Sequence, residues 1–172
     1  LALDADHIVS AEYVAELESY FSSANGTPSD VCGFRNEFIY CQDGKPLKGS
    51  LYPPLIALFK TSHGHYLQEG HTQRLQISGE IIDLKSRNYH DDRKPFSRWI
   101  KAQQKYAKLD AAKLSKRSFG QLRWTDRARL IPFLSPLLVL FYTLFIKGLV
   151  LSGLAGFKYS VQRVYAEHLL QV

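Results

Sequence analysis

Two carboxylates, Asp4 and Asp6, stand one residue apart in the opening stretch LALDADHIVS. A pair so close repels unless a cation lies between its members. A divalent metal that also holds a phosphate suits that place, because hard ions take oxygens from carboxylates and phosphates together. The plainer reading is a buried strand that ends in a polar turn. Two further clusters carry reactive groups. HGHYLQEGHTQR (63–74) gathers three histidines and Glu69, and SRNYHDDRKPFSRW (86–99) sets His90 at the end of an expected strand, with Asp91 and Asp92 after it. His63 and His65 would share one strand face, but no cysteine completes a closed zinc site. A lone His or Glu in a loop is most often a surface hydrogen-bonding group.

These residues need elements to position them. Ser10 is placed to cap a helix whose apolar residues Val14, Leu17 and Phe21 recur at helical spacing. SSANGTPSD (22–30) is a loop by composition. FRNEFIYC (34–41) reads as a strand followed by the turn QDGKP. Pro53 and Pro54 exclude regular structure locally, while Leu55 to Phe59 suits a buried strand. RLQISGEIIDL (74–84) reads as two short strands joined around Gly79. From Pro95 the period changes. Phe96, Trp99, Ile100, Gln103, Tyr106, Ala107 and Leu114 form a helical stripe, with Arg98, Lys101, Lys105 and Lys108 opposite, which predicts an amphipathic helix with a basic outer face.

The chain has 172 residues, 45% of them hydrophobic, enough for one domain of ordinary size with a core. Cys32 and Cys41 have neither metal-ligand spacing nor a disulfide-rich context, so reduced thiols are expected. Beginning on Leu rather than Met, the chain reads as a piece of a longer protein. The net charge of +6 is unevenly spread. Residues 1–84 hold 5 Lys and Arg against 11 Asp and Glu, whereas residues 85–129 hold 14 against 4. A basic block of that size faces an anion, either nucleic acid or anionic lipid.

Directly after it comes LIPFLSPLLVLFYTLFI (130–146), without a charge, then Lys147, then GLVLSGLAGF (148–157). A bilayer-spanning helix needs about 20 apolar residues. Pro132, Pro136, Lys147 and Gly148 interrupt this run, so a broken, re-entrant or interfacial hairpin competes with a crossing, and a soluble buried helix pair with both. A basic flank beside an apolar run is what the cytoplasmic side of a membrane segment carries. That favours a membrane surface over nucleic acid, for which there is no groove-reading motif or stacking platform.

Taken in order, LALDADHIVSAEYVAEL, LKGSLYPPLIALFK, YLQEGHTQRLQISGEIIDLKSRNYHDDRKPFSRWIKAQQKYAKLDAAKL and the apolar tail resemble the carboxy-terminal two-thirds of bacterial family 2 glycosyltransferases of the GT-A fold. The likeness is to the membrane-associated, lipopolysaccharide-type sugar transferases, and it covers essentially the whole chain. Its most specific parts are Asp-x-Asp and YHDDRKPFSRW…QQKYA. The resemblance implies that Asp4 and Asp6 bind a divalent ion (Mg²⁺ or Mn²⁺) and the nucleotide-sugar, Asp6 as the direct ligand. It implies that Gly49 lies in the loop ahead of the acceptor site and that His90 completes the metal-diphosphate site. QEGH stands where such enzymes carry Glu-Asp, so Glu69 and His71 compete to be the catalytic base.

The expected fold is therefore α/β. Residues 1–94 would be the carboxy-terminal part of a Rossmann-like GT-A catalytic domain whose nucleotide-binding half precedes Leu1, and residues 95–172 a basic amphipathic helix with apolar membrane-associated helices. The expected function is transfer of a sugar, inverting and metal-dependent, from a nucleotide-sugar donor to a lipid-linked or cell-envelope glycan acceptor at the cytoplasmic face of a bacterial inner membrane, with no nucleic-acid partner. The rival is a non-catalytic membrane-anchored binding module.

Overall fold

The computed structural model describes residues 1–22, 30–69, 72–115, 118–131 and 133–171, without the side chains of 69, 72, 113 and 114. The fold is α/β with a mixed sheet, and the chain forms two compact units. The first comprises Leu1–Pro46, Leu51–Leu67 and Arg74–Asp92; the second comprises Leu47–Ser50, Gln68–Gln73 and Arg93–Val172.

The first unit holds β1 (His7–Ile8), α1 (Ala11–Ser22), β2 (Val31–Gln42), β3 (Lys45–Pro46) and β4 (Leu55–Phe59). After β5 (Gly64–Glu69) and β6 (Thr72–Ile77), which pair in a small sheet of their own, comes β7 (Glu80–His90). In the main sheet β7 lies between β1, antiparallel to it, and β2, parallel to it, while β3 and β4 both pair antiparallel with β2. Its core is Tyr13, Val31, Phe34 and Leu84, with Leu17 and Tyr20 of α1 packed against them.

Helix α1 begins as the sequence predicts. The Tyr13 amide donates to Ser10 Oγ at 3.1 Å, a side-chain cap that satisfies one of the amides a helix start leaves unpaired. Ser10 is itself pinned, because its amide donates to Oδ1 of the buried Asn88 in β7 at 3.0 Å. The face that α1 buries differs from the stripe read in the sequence: Tyr13 is buried and Leu17 partly so, whereas Val14 and Phe21 remain exposed. A helix turns 100° per residue, so the large ring at Tyr13 rotates the buried face one position from Val14.

No strand precedes Asp4 among the described residues. The Ala2 amide donates to the Ala57 carbonyl of β4 at 2.7 Å, and residues 5 and 6 form a turn before the two-residue β1. The second strand of the 74–84 stretch is not short but runs on to His90, and the turn before it needs Gly79: φ is +119°, and a Cβ there would collide with the Cys32 side chain. The loop expected over 22–30 lies, for residues 23–29, outside the described residues.

The second unit contains α2 (Phe96–Leu114), α3 (Trp124–Arg129), α4 (Leu134–Phe141) and α5 (Gly153–Leu169). Helix α4 runs on into one π turn, Tyr142–Ile146, and a 3₁₀ turn, Leu149–Ser152, precedes α5. In α2 the basic face is exposed as expected, and Trp99 and Ala107 are buried, while Phe96 and Tyr106 of the apolar stripe stay exposed. Trp99 meets Tyr165 of α5 at 6.0 Å between ring centroids, with the Arg163 guanidinium over its ring at 5.7 Å. Between α4 and α5 the axis bends by 70°, and no single helix among the described residues is long and apolar enough to cross a membrane.

Candidate metal centre

Strand register builds the site. Opposite His90, the last residue of β7, lie His7 of β1 on one side and Tyr40 of β2 on the other, so three neighbouring strands set these rings in a row. Phe38, two residues before Tyr40, shares its face by the period of a strand and meets the His7 ring at 4.5 Å. Tyr52 comes from the segment before β4 and stacks on His90 at 4.4 Å, while Tyr40 lies against His90 at 4.8 Å. The His90 imidazole is thus held in place by two phenol rings. It is 8% exposed, with Nδ1 closed off from solvent.

Asp6 precedes β1, so the pairing of His7 with His90 carries it to the same place; the Asp91 amide donates to the Asp6 carbonyl at 2.9 Å. Asp6 Oδ1 is closed off from solvent and lies 3.7 Å from His90 Nε2. Asp6, His7 and His90 each offer a ligand atom, all within 4.8 Å of one another; this is the group capable of holding a metal ion among the described residues.

His7 is already committed. The Asp4 amide donates to its Nδ1 at 3.1 Å, which leaves the proton of the neutral ring on Nε2, where it meets the Tyr52 hydroxyl at 2.8 Å. Burial pushes the His7 pKa below its ordinary value, against the opposing pull of the Asp4 and Asp6 charges. Burial, and then those same two carboxylates, push the Tyr52 pKa up, so the phenol keeps its proton. His7 therefore acts as a brace that ties the Asp4-Ala5-Asp6 turn to Tyr52. Its one signal in the sequence is its position three residues after Asp4, which puts its ring within reach of the Asp4 amide. Tyr52 has no such local signal.

The donor set bears on which of the two expected ions would suit it. Carboxylate oxygen suits Mg²⁺ and Mn²⁺ alike, whereas imidazole nitrogen suits transition metals and not Mg²⁺, which keeps to oxygen. Asp6 with His90 therefore fits Mn²⁺ better than Mg²⁺. With His7 engaged at both nitrogens, Asp6 and His90 remain as protein ligands.

The other sequence-predicted residues fall elsewhere. Asp4 is exposed, its backbone engaged with His7. Asp91 is buried, and its Oδ1 accepts the Gly44 amide at 3.2 Å, which holds the β2–β3 turn. His63 lies in the turn before β5, against Ser62 Oγ at 2.8 Å, and so shares no strand with His65. Gly49 belongs to the second unit, where a Cβ would lie 2.5 Å from the Lys147 carbonyl oxygen, a packing reason for glycine there. Glu69 is the last residue of β5, its side chain outside the described set, and His71 lies outside the described residues. No protein-family model, curated protein or solved structure matches this chain.

Proposed function

We propose that the chain serves a metal-dependent, inverting glycosyltransferase of GT-A type, moving a sugar from a nucleotide-sugar donor to a lipid-linked or cell-envelope glycan acceptor at the cytoplasmic face of a bacterial inner membrane. The observation that supports this reading most is the meeting of Asp6 and His90. The resemblance assigns these two residues to one metal-diphosphate site, and they come together at 3.7 Å from the two ends of the first unit.

In this reading Asp6 and His90 hold the ion, with His7 and the stacked Tyr52 fixing their directions. When bound, the ion supplies charge neutralisation for the diphosphate leaving group. Glu69 or His71 accepts the proton of the acceptor hydroxyl as that oxygen displaces the diphosphate at the sugar carbon, in one direct step without an enzyme–sugar intermediate. Loss of the residue that acts as base lowers turnover by about 10²–10⁴-fold, so Glu69→Gln and His71→Asn, compared at saturating donor, identify it.

The test of the reading is Mn²⁺ affinity, followed through the paramagnetic resonance of the free ion, with and without a nucleoside diphosphate. Asp6→Ala and His90→Gln are each expected to weaken Mn²⁺ binding about tenfold or more, while Glu12→Ala, on the exposed side of α1, leaves it unchanged. Wild-type Mn²⁺ affinity in Asp6→Ala, or full sugar transfer in excess chelator, overturns the reading.

The rival, a non-catalytic membrane-anchored module, draws on the exposed apolar surface of the second unit. It predicts membrane binding with no nucleotide-sugar binding at all.

A further inference from the structure

In the second unit the helix pair buries several small and polar residues and leaves a run of large apolar ones outside. The buried positions of α4, the π turn and α5 include Ser135, Thr143, Gly156, Ser160 and Gln162, alongside Leu149 and Tyr159. The exposed positions are large and apolar: Leu137, Phe141 and Phe145 on one limb, Leu151, Leu154 and Phe157 on the other. Leu151 is 75% exposed and Leu154 is 83% exposed, so single surface hydrophobics, which are ordinary, do not describe this surface.

Helices that pack in water put large apolar residues between them. Helices that pack in lipid gain nothing by doing so, and instead place small and hydroxylated residues at their contact. Ser135, Thr143, Gly156 and Ser160 have that composition, beside the large Leu149 and Tyr159. Gly156 lets the 3₁₀ turn close on α5, since a Cβ there would run into the Leu149 carbonyl. Two of the three buried serine and threonine hydroxyls are satisfied within their own helices, Thr143 Oγ1 donating to the Val139 carbonyl at 2.8 Å and Ser160 Oγ to the Gly156 carbonyl at 2.9 Å, while Ser135 Oγ is buried without such a bond among the described residues. Bonding within the helix is how such groups are accommodated where water is absent.

From this arrangement we infer that residues 134–157 form a helical hairpin embedded in one leaflet of a membrane, with acyl chains covering the exposed faces of both limbs. The inference rests on the burial pattern and not on the sugar-transfer reading.

Three features favour one leaflet over a crossing, and a fourth favours lipid over a protein partner. Leu134–Ile146 rises about 20 Å at 1.5 Å per residue, short of the ~30 Å hydrocarbon core. The break at Gly148, whose φ is +69°, turns the second limb away by 70°. Lys147 sits at that break, its Nζ 5.8 Å above the Tyr142 ring; a shallow hairpin lets it reach the headgroups, whereas a crossing would bury it at mid-membrane. The charge of the same unit is complementary to anionic lipid, because the exposed face of α2 carries Arg98, Lys101, Lys105 and Lys108.

The test adds the whole protein from outside to preformed, sealed vesicles of phosphatidylcholine and phosphatidylglycerol. It should float with the vesicles and stay with them in high salt. Leu151→Glu with Leu154→Glu should weaken this partitioning by about a hundredfold or more, since each places a charge at an acyl contact. The far-UV circular dichroism of that variant should be unchanged, because both residues are exposed. An impermeant thiol reagent outside the vesicles should label Arg123→Cys and His168→Cys equally, the native cysteines being buried. Failure to float, complete release by salt, or undiminished flotation of the double variant overturns the inference. So does a dimer in sedimentation that the double variant splits, which would make a second copy the cover. Protection of one cysteine alone would mean a crossing, and would overturn the single-leaflet hairpin.

Discussion

The two units of this chain differ in how they are held and in what they leave exposed. In the first, Tyr13, Val31, Phe34 and Leu84 make an aromatic and aliphatic core, and apolar area removed from water supplies the stabilisation, at about 25 cal/mol per Å². In the second, a bidentate ionic tie joins two of the helices. Arg129 of α3 donates from Nε and Nη2 to the Glu167 carboxylate of α5 at 2.9 and 2.7 Å, and from Nη1 to Asp126 at 2.8 Å. Much of that unit's apolar surface is left facing outward. Large apolar side chains are exposed in both units, and they crowd most closely over α4 and the start of α5 in the second.

The largest effect should separate the units directly. Phe34→Ala removes a ring that is 4% exposed and packed against Tyr20 and Phe21, and should cost about 3–5 kcal/mol in denaturant unfolding. Leu154→Ala, at a site 83% exposed, should cost less than about 0.5 kcal/mol in the same measurement. A Leu154→Ala cost as large as the Phe34→Ala cost would mean that protein, not lipid, covers that face, and the contrast between the units would fail.

The next effect tests the ionic tie. Arg129→Met keeps the length of the side chain and removes its charge, leaving the Glu167 and Asp126 carboxylates without their shared cation. The three side chains are 22%, 17% and 10% exposed, so solvent still reaches them in part. The expected loss is about 2–3 kcal/mol, less than for a fully buried pair. A triple replacement by apolar residues should recover most of it. If Arg129→Met alone is neutral, the second unit is held by its helix seam and the ion triad is incidental.

What the sequence made legible follows the same division. Local patterns were readable wherever one residue decides the structure: Ser10 capping α1, the glycine turn before β7, the basic face of α2, and the break near Lys147 and Gly148. His90 at a strand end was also readable, because the alternation before it and the Asp pair after it are local. The parallel pairing of β2 with β7 was not, since nothing in either strand names its partner. Hence the row His7–His90–Tyr40, and the closing of Tyr52 over it, had no sequence signal. Asp6 and His90 were assigned to one site by resemblance alone, and register is the physical reason that they meet. The burial pattern of the helix pair was hidden too, because hydropathy marks α4 and α5 as apolar without saying which face is covered.

The smallest expected effect concerns a seam in the first unit that the strand pattern did not announce. Between Arg35 and Glu37 of β2 the register with β7 jumps from Asp83 to Arg87, so residues 84–86 bulge out of the ladder. The Lys85 and Ser86 amides donate instead to the two oxygens of Glu16 in α1, at 3.0 and 2.8 Å. Partial burial of Glu16 acts to raise its pKa, but the hydrogen bonds from Ser86 and Lys85, together with the Lys85 charge, outweigh it and leave the value below the ordinary 4.5. A carboxyl whose folded value is depressed contributes stability that is fully present above the unfolded value and is lost as the pH falls through the folded one. Glu16→Gln keeps one acceptor oxygen and loses the charge, so near neutral pH it should cost about 1 kcal/mol. Stability measured by denaturant across the acid limb should then fall less steeply below pH 4.5 in Glu16→Gln than in the wild type, and the two curves should converge once Glu16 is protonated in both states. Parallel curves over that range would mean that the two amides find other acceptors and that α1 is held to β7 by the Ser10–Asn88 hydrogen bond and the apolar contacts of Leu17 and Tyr20.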